Sequence, residues 1–228
     1  EKTMAYFTRP HPKDKDAYID PICMMMDNRA KYFPVDPKTG GSQVANIMGR
    51  KGLLIYTYNK NRYEEAYNVL KDAVAMDPSQ LQGAYIDAYF KATIDMVNND
   101  KAEKMTVINV YQELSEVLDN NIGALAETEA ELVAAKEDAE AAGDADAVAG
   151  FDKQIEKNEK NININKGVKS NLDNLFQPYA SCEDLIKVFS AKMKETPDDV
   201  VLLKRITTIL DKKDCTDSKL FLDAAVKL

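Results

Sequence analysis

The sequence contains no tryptophan and a single histidine in 228 residues. Without Trp it lacks the exposed ring that glycan sites favour as a platform. The one imidazole, His11, lies in the stretch Arg9-Pro10-His11-Pro12-Lys13, which reads as a solvent-exposed linker and not as the seat of a catalytic base. Only nine Gly and eight Pro interrupt the chain, which leaves room for long helices. No apolar run approaches the roughly 18 residues that a membrane-spanning helix needs. Cations are not in excess either: the formal charge is −8, with no run of Lys and Arg to displace the counterions of a phosphate backbone. Nucleic acid is therefore not an expected partner.

Catalytic signatures are missing as well. No Gly-rich phosphate loop, Gly-x-Ser-x-Gly elbow, His-Glu-x-x-His or Cys-x-x-Cys occurs. Cys23-Met24-Met25-Met26 offers soft ligands, but consecutive residues point around a helix instead of converging, so they are read as core filling. The expectation is a protein that is not an enzyme and has no cofactor and no metal.

What is present is helical patterning. In residues 62–80, Tyr63, Ala66, Leu70 and Ala73 recur at steps of three, four and three, and Asp77-Pro78 follows. These positions share one stripe of a 3.6-residue helix, while Glu64, Glu65, Lys71 and Asp72 fall mostly off it. The alanines admit a neighbouring helix closely, and Pro78 forces a turn. Upstream, Met48, Leu53, Ile55 and Tyr56 form another apolar set that ends at Asn59-Lys60-Asn61. Downstream, Ala84, Tyr85, Ala88, Tyr89 and Ala92 line one side of a helix, and Val107, Val110, Leu114 and Val117 repeat the three-four-three spacing. Near the end, a helix closed by Thr196-Pro197 precedes a second over 200–213, and a third begins after Cys215.

The charge is concentrated. Between 127 and 146, eight acids face Lys136 alone, a net −7 that leaves the remainder nearly neutral. Eleven alanines between 124 and 149 give this stretch high helix propensity. Gly143 is placed to end one helix and Asp144 or Asp146 to cap the next. Beyond it Val148, Phe151, Ile155, Ile162, Leu172 and Phe176 sit near a heptad pattern interrupted by Asn158 and Asn165. Two long antiparallel helices are predicted.

The pattern Tyr63-x2-Ala66-x3-Leu70-x2-Ala73-x4-Pro78 resembles the second helix of a tetratricopeptide repeat (TPR), a helical hairpin of about 34 residues whose copies stack into a solenoid. In the preceding helix only Leu53 fits. Together with residues 27–33, 49–56, 89–96, 174–189 and 202–221, the chain is similar to a family of exported TPR proteins common in Bacteroidota, outside the acidic segment.

The resemblance implies an all-α fold, a TPR-like helical-hairpin solenoid with an inserted long antiparallel helical hairpin. Its expected parts are an extended segment (1–16), repeats (17–120), the acidic hairpin (121–171) and C-terminal repeats (172–228). The implied role is a non-catalytic scaffold in the cell envelope, periplasmic or surface-associated, binding a protein or peptide. Lys51, Tyr58 and Asn59 would face the groove lined by first helices if the register of Tyr63 to Pro78 holds. A carboxylate clamp is not matched, since Ile55 stands where an Asn would be needed.

Two other readings are a glycan-binding envelope lipoprotein with embedded TPR helices, and an assembly module that pairs or self-associates through the hairpin. Cys182 and Cys215, 33 residues apart, are a candidate disulfide pair in an oxidising envelope. Against it, equivalent points on adjacent repeats usually lie beyond the roughly 7 Å between Cα atoms that a disulfide tolerates, and the alternative is two free thiols. The chain begins at Glu1 and stops at Leu228 in mid-pattern, which suggests a removed leader or internal start, and further sequence at the C-terminal end.

Overall fold

The computed structural model describes residues 15–228, with side chains from 18 onward. His11 and most of the expected extended segment (1–16) lie outside the described residues. Among those described there are nine α-helices and no strand, only an isolated bridge between Val35 and Ser42. The helices are α1 (Lys15–Tyr32), α2 (Val44–Tyr58), α3 (Tyr63–Met76), α4 (Gly83–Asn98), α5 (Lys104–Ala142), α6 (Ala145–Phe176), α7 (Cys182–Glu195), α8 (Val200–Lys212) and α9 (Lys219–Lys227). They form two compact units, one ending at Leu172 and the other spanning Asp173–Leu228, with the boundary inside α6.

In the first unit the α3 stripe is buried as its spacing requires: Ala66, Leu70 and Ala73 are at most 1% exposed. Tyr63 opens α3 and is half-buried, and Pro78 starts a short 3-10 turn over Pro78–Gln80. Asp77 builds that turn by accepting from the Ser79 backbone at 3.0 Å, the Ser79 hydroxyl at 2.6 Å and the Gln80 amide at 2.6 Å.

Helix α2 packs on both α3 and α4. Gly52 lets α3 approach: a Cβ there would fall 2.4 Å from Leu70 Cγ, closer than any real contact. One turn earlier Gly49 does the same for α4, where Tyr85 Cδ2 would lie 2.5 Å from an added Cβ. The Tyr56 hydroxyl donates to Asp95 on α4 at 2.8 Å. Helix α1 packs along α2, and Ile19 and Cys23 join Leu54, Ile55 and Ala66 in one core cluster.

Helices α5 and α6 are the predicted long pair. Gly143, at φ 71°, ends α5 with the left-handed geometry that glycine tolerates best, and the Asp144 carboxylate caps α6 by accepting from the Ala147 N–H at 3.0 Å. Their direction follows from cross-links. Asn158 donates to the Leu125 carbonyl at 2.7 Å, Lys136 pairs with Asp152 at 2.8 Å, and Lys169 pairs with Asp119. Later residues of one helix meet earlier residues of the other, so the pair is antiparallel.

The hairpin does not begin at 121, however. Helix α5 is continuous from Lys104, so its first turns pack on α4 through buried Val107, Val110, Leu114 and Val117 and its later turns form the hairpin. The acidic pair is an extension of a packed helix and not a separate insertion. A single Gly in a helix interior costs only about 1 kcal/mol relative to Ala, so Gly123 is carried within α5 and does not end it.

In the second unit α8 packs against α7 and α9. Ser181 and Asp184 make a reciprocal capping box at the start of α7, and Asp199 caps α8 by accepting from the Val201 and Leu202 N–H groups. The core is Phe176, Leu185, Phe189, Leu203, Ile206 and Leu210, each at most 2% exposed.

Candidate functional site

Each of the sequence-derived groove residues is engaged within the chain. Lys51 is ion-paired to Asp27 of α1, its Nζ 2.7 and 2.8 Å from the two carboxylate oxygens. Tyr58 packs on the core cluster that α1 shares with α2 and α3. Asn59 accepts from the Asn61 N–H at 3.0 Å and so shapes the turn into α3. For Lys51 and Tyr58 the cause is α1, which lies against α2 where an open groove was expected.

Cys23 and Met26 of α1 face the core, but Met24 and Met25 are 61% and 60% exposed, so core filling applies to half of that quartet. Burial raises the Cys23 thiol above its ordinary pKa, which keeps it protonated and a poor nucleophile. Burial, then the hydrogen bond to Asp95, raises Tyr56 in the same way. Among the described residues no group of three or more His, Cys, Asp or Glu is placed to hold a metal ion.

Cys182 and Cys215 are joined as a disulfide with their Cα atoms 5.7 Å apart. The objection from repeat spacing does not apply, because the two are not equivalent positions. Cys182 is the first residue of α7, whereas Cys215 sits in the turn that follows α8. Antiparallel packing returns the end of α8 to the start of α7. Lys213, two residues before Cys215, donates to the Gln177 carbonyl at the same end, and Lys212 pairs with Asp173 at 2.9 Å.

Two surface hollows among the described residues of the first unit involve the hairpin. One runs along the hairpin between α5 and α6, about 910 Å³, floored by Ile122, Ala126, Ala130 and Ile162 and edged by Glu129, Glu137, Glu159 and Lys166.

The other, about 810 Å³, lies at the hairpin's base. Asn46 of α2, the Ser79-Gln80-Leu81-Gln82 turn and the start of α4 form one wall. Asn121, Leu125 and Thr128 of α5, with Asn161, Ile164 and Asn165 of α6, form the other. None of its lining residues is charged, in a chain of which 30% are. Side-chain amides dominate instead. Asn46 donates to the Gln80 backbone carbonyl at 3.2 Å, Gln80 to Asp77, and Asn165 to the Asn161 backbone carbonyl at 2.9 Å. Each of these bonds uses one of the two N–H donors of its amide. The Gln80 Oε1 is buried and has no hydrogen-bond partner.

Sequence reasoning did not find this pocket. Its signal was the amide-rich run Asn161-Ile162-Asn163-Ile164-Asn165, whose alternation imitates a strand. On a helix, positions four apart share a face, so Asn161 and Asn165 point together.

Comparison with protein-family models, with curated proteins and with solved structures finds no match to this chain. No helix among the described residues is long and apolar enough to cross a membrane.

Proposed function

We propose that this chain is a non-catalytic TPR-like scaffold that binds a protein segment, and that it works outside the cytoplasm in the cell envelope. The observation that carries the reading is the seating of α2, through Gly52 on its hairpin partner α3 and through Gly49 on α4, the first helix of the next pair. A helix that packs on both its partner and its successor is the unit of a stacked repeat, in which each copy contacts its neighbours. Such arrays serve as binding surfaces and carry no chemistry of their own.

The Cys182–Cys215 disulfide supports export, since bridges of this kind persist in oxidising compartments. The hairpin belongs to the same reading as an arm. Six acids against Lys136 over residues 121–142 leave that half of the arm at −5, which favours a different partner over a second copy of the chain. The expected state in solution is therefore a monomer by sedimentation.

Affinity capture from a native envelope extract, followed by identification of the retained proteins, tests the scaffold. A specific protein retained by the folded chain and not by the denatured chain is the expected outcome. Retention of polysaccharide alone would favour the glycan-binding reading instead.

A further inference from the structure

We infer that the pocket at the base of the hairpin binds an uncharged, extended peptide segment by pairing side-chain amides with the peptide backbone. This rests on the scaffold reading and names its binding element. An extended peptide presents N–H donors and C=O acceptors in alternation, and it has no charge in its backbone.

The pocket is the complement of that pattern. Asn46 and Asn165 each commit one N–H to the protein and keep an oxygen that can accept, while Gln82, Asn121 and Asn161 bring further amides, each able to donate and to accept, to the same space. Leu125 and Ile164, the latter 47% exposed, supply apolar surface for a small side chain.

The volume falls within the roughly 300–1,000 Å³ typical of ligand pockets. A charged ligand is disfavoured, since nothing in the lining would neutralise it on burial. A sugar is disfavoured because no aromatic ring lines the pocket to carry its C–H face.

The test is selection of a phage-displayed random peptide library on the full chain, with affinities then measured on synthetic peptides. Enriched peptides should share a short uncharged core, and their affinity should change little between low and high salt, because no ion pair is formed. The pair Gln82→Ala with Asn161→Ala should weaken binding about tenfold. Lys51→Ala should leave it unchanged.

Gln82 is exposed, so Gln82→Glu adds a charge at the pocket without disturbing packing and should also weaken binding. No enriched peptide, or peptides indifferent to Gln82 and Asn161, would overturn the proposal. A hit on an oligosaccharide array lost with the same substitutions would overturn the peptide assignment. If the double variant still captures the envelope protein retained by the wild type, the pocket assignment fails and the scaffold stands. If the wild type captures nothing, the scaffold fails as well.

Discussion

Ala66 has no exposed surface and lies in the cluster formed by α1, α2 and α3. Replacing it with Leu adds three carbons where there is no space. Ala66→Leu should cost about 1–3 kcal/mol by overpacking, measured by urea unfolding. A neutral result would place Ala66 at a looser contact than its burial indicates. Asp77 acts through charge. Hydrogen bonding from Ser79, and then from Gln80, holds its carboxyl below the ordinary 3.8. A carboxyl lowered in the folded state stabilises the fold above its unfolded pKa, and that stabilisation is lost as pH falls below about 4 through the folded value. Asp77→Ala should therefore cost about 1 kcal/mol at neutral pH, the usual worth of such a cap. The difference from wild type should shrink as unfolding is repeated toward pH 3. A gap that stayed constant with pH would show that packing, and not the carboxylate, is what the substitution removes.

At the scale of elements, the hairpin shows what the sequence carries and what it does not. Its turn was legible because Gly143 and Asp144 have local jobs, a positive φ and a cap, that only a few residue types perform. Its lower boundary was not, since nothing local distinguishes a helix leaving the core from one inside it. The ion pair of Lys51 with Asp27 was not legible for a related reason: the spacing within α1 does not report that it packs on α2. The pocket at the base draws on α2, the α3–α4 turn, α5 and α6, segments separated widely along the chain. Only tertiary packing gathers them.

Asn158, 6% exposed, lies level with Leu125 through their hydrogen bond, so the arm beyond that rung is residues 126–157. Deleting 126–157 and joining the stumps with a short Gly-Ser turn should leave the first unit folded, because the buried rows of α4 and α5 lie before the cut. A cooperative, helical unfolding transition close to that of wild type is the expected outcome. Its loss would mean that the arm is required for the packing of the first unit. In the intact chain, amides flanking Gly143 should exchange fastest among the helical residues. Few large apolar side chains hold that end, and the ordering of each residue costs about 1–2 kcal/mol.

For the whole molecule, the disulfide gives a count that is simple to make. Thiol titration of unreduced, denatured protein should find one free thiol, Cys23, and reduction should reveal two more. Closing a loop of 33 residues stabilises by about 3–4 kcal/mol in the chain-entropy view, so reduction should lower the stability of the second unit by a comparable amount. Three thiols before reduction would remove the main support for an exported location.

The scaffold reading and the pocket meet in one experiment: where on the surface a captured partner sits. A photo-crosslinking residue is placed in turn at position 82 beside the pocket, at 51 on α2 and at 137 along the arm, and the envelope extract is irradiated with each. The cross-link should form from position 82 to a peptide with an uncharged core, and not from 51. A partner cross-linked from 51 and silent at 82 would return the binding surface to the face of α2 and contradict the pocket.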